Sequence, residues 1–416
     1  MIEDVLLELS LLLVAALAAR FLASLVRIPE ILLLVLMGAL FGPSALDVIA
    51  VPIDSLGAQL MFTLGVSLIL FHGGLNLSLP VLRRVWMALG LLVLPGVVAT
   101  AVVVGLVAYL VFDLSFTAAV LLGAVLAPTD PAILIPLFIG SRLRAKVAQT
   151  VVAESAFNDP TGAVLALALA GVLLSGDGSL AHPAEEFVVD LGISTVIGVI
   201  AGVGLSAVIS SHRTGIWRES AALAVLTVVT ISYFSLDFAG GSGYLGAFLA
   251  GLIVGNMGQL GLAMNREHEM EMRVFAGGAA DLVTLFVFVV LGANIPFAHL
   301  GEYLLPGLAV LGTLLLVARP LVVLACTLPD RRARWTPQEI AFMCWTRETG
   351  VVPAALVGVL AGLGVPDVEL YASVVALAIV LTLVLQALPA RRLAGRLGLL
   401  DGAPGLEPSA ALDEAA

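Results

Sequence analysis

Apolar stretches separated by Gly, Pro or charged residues fill the chain from its amino terminus to about Leu400. A window of about 19 residues, the length that suits a membrane-spanning helix, divides them into 13 segments. Their approximate centres are residues 14, 35, 66, 97, 127, 160, 199, 227, 250, 286, 314, 349 and 379. The pattern predicts an all-α polytopic membrane protein with 13 transmembrane helices in a single integral domain over residues 1–400, followed by a short tail over 401–416.

Composition agrees with this prediction and excludes several classes of protein. Of the 416 residues, 61% are apolar and 12% are charged, and the mean hydropathy is +1.13. Soluble domains contain roughly 45–50% apolar and about 25% charged residues. A soluble enzyme, a nucleic-acid-binding protein and a secreted disulfide scaffold are therefore excluded. Cys326 and Cys344 lie in apolar runs and are predicted to be buried free thiols.

The basic residues alternate between connections. Those after the odd-numbered segments hold 17 of the 19 Lys and Arg residues, and those after the even-numbered segments hold none. The 17 residues are Arg20, Arg27, Arg83, Arg84, Arg142, Arg144, Lys146, Arg213, Arg218, Arg266, Arg273, Arg331, Arg332, Arg334, Arg391, Arg392 and Arg396. Short cytoplasmic loops are rich in Lys and Arg. This predicts a multi-pass protein of the plasma (inner) membrane with an external amino terminus and a cytoplasmic carboxyl terminus.

Charged and polar residues also lie inside apolar segments, where a charge costs at least about 2.5–3.5 kcal/mol on insertion scales. In segment 6, Ser155 and Asp159 are four residues apart and share a helix face, while Glu154 and Asn158 share the adjoining face. This cost predicts that these side chains have partners, line a water-filled cavity or perform a function.

Segment 5 contains Thr129 and Asp130 between Pro128 and Pro131. Pro131 has no N–H and its ring opposes a continuous helix, which frees carbonyl groups near Thr129. Such a break is tolerated at membrane depth only where it lines a cavity or meets protein partners. Together with segment 6, these residues supply carboxylates, a hydroxyl and free carbonyls. An all-oxygen site of this kind suits a hard cation.

Segment 12 resembles segment 5, since Arg347 and Glu348 precede Gly350 and Pro353. Interrupted helices at equivalent places in two halves of a chain indicate the midplane site of a secondary transporter. Segments 1 to 6 and 8 to 13 are therefore predicted to be two inverted six-helix repeats about segment 7, with segments 5 and 12 as crossed discontinuous helices.

These residues resemble a known family, the sodium/proton exchangers of the monovalent cation:proton antiporter superfamily, NhaP type. The resemblance rests on Ile28-Pro29-Glu30, Thr129-Asp130-Pro131, Asn158-Asp159-Pro160, the run 240–252 and Arg347. It implies the NhaA-like antiporter fold and a homodimer, with dimerisation or scaffold helices at about 4–76 and 187–293 and mobile core helices at about 85–175 and 303–390. It implies no enzymatic activity and no cofactor.

The resemblance also implies roles for single residues. Asp159 would be the principal carrier of cation and proton, with Thr129, Asp130 and Ser155 lining or supporting the metal (monovalent cation) site. Asn158 would belong to the cation- and proton-binding residues and would mark the electroneutral branch of the superfamily. Glu154 would form an ion pair with Arg347 that stabilises the core.

Two further residues are candidates for the path or for modulation. His72 stands in segment 3 where relatives usually carry an acidic residue near the cation path; a buried histidine without a transport role is the alternative. Arg319, in segment 11 before Pro320, is expected to be a structural partner or to line the funnel.

Proton and cation are expected to compete for one buried aspartate, since ionisation without a cation costs it solvation. An electroneutral exchange of one cation for one proton follows if the protein changes its facing only with that carboxylate neutralised. Oxygen ligands serve Na⁺, Li⁺ and K⁺, so a K⁺/H⁺ antiporter is the main alternative. A cation channel would need a filter of repeated carbonyls. An intramembrane protease would use Ser242, in Gly240-Gly241-Ser242-Gly243, or an aspartyl dyad.

Overall fold

The computed structural model describes residues 2–26, 28–130, 143–176, 181–210, 216–330 and 333–400. Helices account for nearly all of this part of the chain. They are α1 Ile2–Val26, α2 Glu30–Phe41, α3 Leu56–Leu75, α4 Leu79–Val111, α5 Phe116–Leu126, α6 Ala145–Ser175, α7 Ala181–Ile209, α8 Ala221–Ala239, α9 Gly243–Gly255, α10 Arg266–Ala293, α11 Phe297–Thr313, α12 Arg319–Thr327, α13 Pro337–Trp345, α14 Val351–Gly362, α15 Val368–Thr382 and α16 Ala390–Arg396. The described residues contain no β-strand, only one isolated bridge between Leu143 and Leu400.

Nine helical stretches of the described chain are long and apolar enough to cross a membrane. Four shorter apolar helices, α2, α5, α9 and α14, accompany them. The all-helical membrane architecture predicted from the hydrophobic pattern is therefore confirmed. The finer predictions of 13 spans and two inverted repeats stay predictions.

Two π-helical turns, Leu314–Ala318 and Leu383–Ala387, lie within otherwise continuous helices. The first joins α11 to α12, just before Arg319 and Pro320. A proline inside a helix clashes with the carbonyl four residues earlier, and a widened turn relieves that clash. The turn thereby allows an apolar helix to continue through Arg319, whose side chain is buried.

Helix α3 packs closely against both α9 and α10. Gly251 and Gly255 of α9 lie directly against the carbonyl oxygens of Phe71 and Leu75 of α3, where a Cβ would overlap the backbone. Small residues four apart allow such close packing of membrane helices. On the other side of α3, the rings of Phe62 and Phe286 of α10 meet edge to face, with centroids 6.1 Å apart. These contacts make the three helices one packed unit.

Two helices break at membrane depth and the breaks meet. After α5 ends at Leu126, residues 127–130 lack helical structure, and between α13 and α14 residues 346–350 are extended. The Asp130 N–H donates to the Glu348 carbonyl at 2.9 Å. Gly350 lies against the Asp130 side chain, where a Cβ would overlap it. The two interrupted stretches are therefore in contact. Pro131 and the rest of segment 5 to residue 142 lie outside the described residues, so the crossing of two discontinuous helices stays a prediction.

A capping box fixes the start of α13. Thr336 Oγ1 accepts a hydrogen bond from the Glu339 N–H at 3.3 Å, and Glu339 Oε2 accepts one from the Thr336 N–H at 2.9 Å. Lys146, in the first turn of α6, also binds Glu339 Oε2 at 2.6 Å. The box therefore ties the start of α13 to the start of α6, the helix that carries Asp159.

We expect Thr336→Ala to lower the free energy of unfolding by about 1 kcal/mol, because the substitution leaves the Glu339 N–H without its acceptor. Thermal unfolding in detergent checks this. The matched control is Thr230→Ala, since Thr230 is exposed on α8 and bonds only its own helix; a surface change of this kind stays within about 0.5 kcal/mol. Equal effects of the two substitutions would contradict the capping role.

Candidate functional site

Thr129, in the stretch that follows α5, is held by two side chains from the interior of α6. Asn158 Oδ1 accepts from the Thr129 N–H at 3.2 Å, and Asn158 Nδ2 donates to Thr129 Oγ1 at 2.8 Å. Ser155 Oγ donates to the Thr129 carbonyl at 2.5 Å. All three side chains are buried. The i, i+3 spacing of Ser155 and Asn158 lets one helix hold both the backbone and the side chain of Thr129.

Asp159 follows Asn158 on α6. Its Oδ1 is buried and has no hydrogen-bond partner within the described part of the chain. The charge of Asp159 interacts with that of Asp130, and its carboxylate also faces the backbone of Thr129. Buried polar atoms nearly always have a partner, so an exception calls for an explanation. A proton or a bound cation would satisfy this oxygen.

Asp130 links the two breaks. Besides its N–H contact with Glu348, its Oδ2 accepts from the Val351 N–H at 3.4 Å. Val351 is the first residue of α14, and the amino-terminal end of a helix favours a negative charge. Asp130 therefore holds the start of α14 against the break in segment 5, beside Asp159.

The partner of Glu154 differs from the prediction. Arg319 binds Glu154 with two nitrogens: Nη1 donates to Oε1, and Nη2 donates to Oε2 at 3.1 Å. Both side chains are buried, and Arg319 Nε also donates to the Met343 carbonyl at 2.9 Å. The predicted ion pair of Glu154 with Arg347 is therefore wrong in its partner. The π-helical turn before Arg319 directs that guanidinium, and not the one from segment 12, onto the carboxylate.

Arg347 instead caps a helix end. Its Nη2 donates to the carbonyls of Leu126 and Ala127, at 2.8 and 2.7 Å. These carbonyls lack helical partners because α5 stops there, and the carboxyl end of a helix carries a partial negative charge that favours a cation. The arginine that follows α13 therefore stabilises the end of α5 and holds the two interrupted stretches together.

A second group of buried polar residues lies where the stretch between α13 and α14 meets α15. The Thr349 N–H donates to Thr382 Oγ1 of α15 at 3.1 Å. Glu348 Oε1, Thr349 Oγ1 and Gln386 Oε1 are buried and without hydrogen-bond partners among the described residues. No role was predicted for Thr382 or Gln386 from the sequence. The available signal was their spacing of four residues in an otherwise apolar segment.

His72 lies between α3 and α10. Its Nε2 is 3.1 Å from Asn76 Nδ2, and its ring lies beside Gly277 of α10. Arg273 and Asp281, also on α10, act on its charge. The described contacts of the ring are thus with α3 and α10, so its predicted place near the cation path stays a prediction.

The polar groups of the site occupy two adjoining faces of α6. Ser155 and Asp159 are on one face, and Glu154 and Asn158 on the other. The second face lines a cavity together with Thr129 and with Thr100 of α4. No group of three or more His, Cys, Asp or Glu side chains suited to a tightly held metal occurs among the described residues. Carboxylate, hydroxyl and carbonyl oxygens are the groups available for a transient cation.

Comparison with known proteins agrees with this fold. The family model described as sodium/hydrogen exchanger, transmembrane, matches residues 10–394. A protein of Alkalimonas amylolytica named K(+)/H(+) antiporter NhaP is 29% identical over 386 residues, which cover 91% of this chain. A protein of Methanocaldococcus jannaschii named Probable Na(+)/H(+) antiporter 2 is 30% identical over 344 residues, which cover 80% of this chain.

A solved structure also matches. The sodium proton antiporter MjNhaP1 from Methanocaldococcus jannaschii at pH 8 superposes with a TM-score of 0.81 and 26% identity, covering 95% of this chain and 99% of that one. The chain spans 64% of the length of the Alkalimonas relative and 78% of that of Probable Na(+)/H(+) antiporter 2. Since the family model covers nearly the whole membrane region and the fold is shared, this chain belongs to the sodium/hydrogen exchanger family of multi-pass membrane transporters.

Proposed function

We propose that this protein is a secondary active antiporter that exchanges a monovalent cation for protons at Asp159. The observation that carries the proposal is the buried oxygen of Asp159, which lacks a hydrogen-bond partner among the described residues and lies beside the two interrupted stretches. An ionised carboxylate at that depth needs compensation for its lost solvation. A proton or a cation supplies it, and each excludes the other.

The oxygen ligands proposed for the cation are Asp159, Asp130, Ser155 and Thr129. Asn158 is a positioning residue, because its amide holds Thr129 through both the backbone N–H and the hydroxyl. The two interrupted stretches keep these groups in place: Arg347 neutralises the end of α5, and Asp130 holds the start of α14. The cation thus binds where two half-helices are fixed against α6.

Coupling follows from the cost of moving a bare charge. A carboxylate carried past an apolar barrier costs several kcal/mol, while a neutralised one does not. The protein therefore changes its facing only when Asp159 holds a proton or a cation. Because residue 158 is Asn and not a second carboxylate, one cation exchanges for one proton, and the cycle is electroneutral.

We further propose 13 transmembrane segments in two inverted six-helix repeats, consistent with the nine long and four short apolar helices of the described chain. The contact between the breaks of segments 5 and 12 fits repeats related in this way. The distribution of basic residues supports an external amino terminus and a cytoplasmic carboxyl terminus in the plasma membrane.

We propose that the helices at about 4–76 and 187–293 form a scaffold through which the protein is a homodimer in the lipid bilayer. The helices at about 85–175 and 303–390 form a mobile core. The tight packing of α3, α9 and α10 supports a rigid scaffold. The hydrogen bonds that join α5, α6, α12 and α13–α14 support a core that moves as one body.

Sodium and potassium are both candidate substrates, with lithium as a third. The two relatives differ in the ion that their names state, and oxygen ligands bind all three ions. We expect Na⁺ to be exchanged, with K⁺/H⁺ exchange as the alternative.

Purified protein in liposomes that contain a pH-sensitive dye tests the function. We expect dye recovery on addition of Na⁺ or K⁺, saturable in the cation and unchanged when valinomycin and K⁺ clamp the voltage, because no net charge moves. The control is liposomes without protein. A conductance driven by voltage without proton movement would identify a channel and contradict antiport.

A further inference from the structure

The first turns of α3 meet the last turn of α14. Gln59 Nε2 donates to the Gly358 carbonyl at 2.6 Å and to the Ile53 carbonyl at 2.9 Å. The amide of Gln59 also lies against Gly362, where a Cβ would overlap it. One side chain therefore joins the loop before α3 to the end of the half-helix whose first residue contacts Asp130.

Phe62, one turn along α3 from Gln59, fills the notch that Gly358 leaves on the surface of α14. Its ring is buried and lies directly against Gly358, so that a Cβ at this glycine would overlap the ring carbons. On its other side Phe62 meets Phe286 of α10, as described above. Phe62 is thus anchored to the packed unit of α3, α9 and α10, and only glycine in α14 leaves room for it.

These contacts join the proposed scaffold to the proposed core. By the distribution of basic residues, the start of α3 and the end of α14 both lie near the external side of the membrane. A change of facing that moves the core relative to the scaffold has to break the Gln59–Gly358 hydrogen bond and withdraw Phe62 from the notch.

We propose that Gln59 is a positioning residue of the transport cycle, which locks α14 onto α3 and keeps the external side of the site closed. This inference rests on the proposed antiport function. The lock lowers the fraction of protein that faces outward, and an affinity measured from one side scales with the fraction competent to bind there. A weaker lock therefore improves binding of the external cation.

The test compares Gln59→Met, which keeps the length of the side chain and removes the donor, with the wild type. The half-saturating Na⁺ (or K⁺) concentration is measured separately in right-side-out and inverted vesicles. We expect it to fall roughly fivefold on the external face, the change that one ordinary hydrogen bond makes in an equilibrium constant, with little change on the internal face. Gly358→Ala should act in the same direction, because its methyl group displaces Phe62.

The matched control is Gly57→Ala, on the same helix two residues from Gln59, where a Cβ meets nothing within 4 Å. It should leave both faces unchanged. If the role of Gln59 were purely structural, Gln59→Met would lower the melting temperature and change the half-saturating cation concentration equally on both faces. An equal change on both faces, or no change on either, would overturn the proposal.

Hydrogen exchange separates failure of the lock from failure of the proposed function, since it requires no transport. In lipid nanodiscs, Gln59→Met should speed exchange of amides at the carboxyl end of α14 and the start of α3, and leave α6 unchanged. If the α14 amides of Gln59→Met exchange hydrogen at the wild-type rate, the proposed lock is overturned, regardless of the result of the vesicle transport assay. Faster exchange in α14, with no ion exchange by the wild type, would overturn the antiport function and the role of Gln59 in it.

Discussion

Asp159→Asn should abolish exchange and leave a folded protein. The amide cannot take up a proton or balance the charge of a cation, so both half-reactions lose their carrier. Dye recovery in proteoliposomes should fall to the level of protein-free liposomes. The folded state is checked by gel filtration and thermal unfolding, where the neutral amide should be tolerated because Asp159 Oδ1 has no hydrogen-bond partner to lose among the described residues.

Two other Asp→Asn variants serve as comparisons for Asp159→Asn. Asp237→Asn makes the same chemical change at an exposed position of α8 and should transport as the wild type does. Asp130→Asn should impair exchange less than Asp159→Asn does. Asp130 also holds the start of α14 by accepting from the Val351 N–H, and the amide oxygen of Asn can still accept that hydrogen bond. Substantial proton-coupled flux in Asp159→Asn would place the carrier elsewhere.

Removing either partner of the Glu154–Arg319 pair should destabilise the protein by about 3–5 kcal/mol, because the other charge is left buried and alone. Both residues are at most 4% exposed, so bulk solvent does not reach the charge that remains. Glu154→Gln and Arg319→Gln should each lower the melting temperature. The double variant should lose less than the sum of the two, since it leaves no lone charge.

Arg347 provides the comparison for this double-mutant cycle of Glu154 and Arg319. It lies in the same buried region but donates to backbone carbonyls of Leu126 and Ala127. The coupling energy of Glu154 with Arg347 should therefore be smaller than that with Arg319. A larger coupling to Arg347 would restore the pairing expected from the sequence and contradict the geometry described here.

The positions of the breaks could be predicted from the sequence because local chemistry determines them. Pro128 and Pro131 in segment 5, and Gly350 in segment 12, remove the helical options at those points. The adjoining faces of Ser155 and Asn158 could likewise be predicted, since residues three and four apart lie close together on a helix. Their contacts with Thr129 depend on how segments 5 and 6 pack and could not be predicted in this way. Helix periodicity and proline chemistry need no knowledge of the tertiary fold.

The partner of Glu154 could not be chosen in the same way. Two buried arginines were available, and the choice depends on how segments 11 and 12 pack against α6. The π-helical turn before Arg319 rotates that residue relative to a regular helix. Pro320 accounts for the turn, but it does not tell which acidic side chain the rotated arginine meets. The contacts of His72 with α10 also follow from packing, because His72 and Gly277 are more than two hundred positions apart in the chain.

The pH dependence of cation affinity tests the central claim, competition of cation and proton for Asp159, most directly. The half-saturating cation concentration is measured in wild-type proteoliposomes over a range of pH. Competition for one carboxylate predicts a rise that approaches about tenfold per pH unit in acid, with an unchanged maximal rate at saturating cation. A half-saturating concentration independent of pH, or a maximal rate that falls in acid at constant affinity, would contradict a shared site.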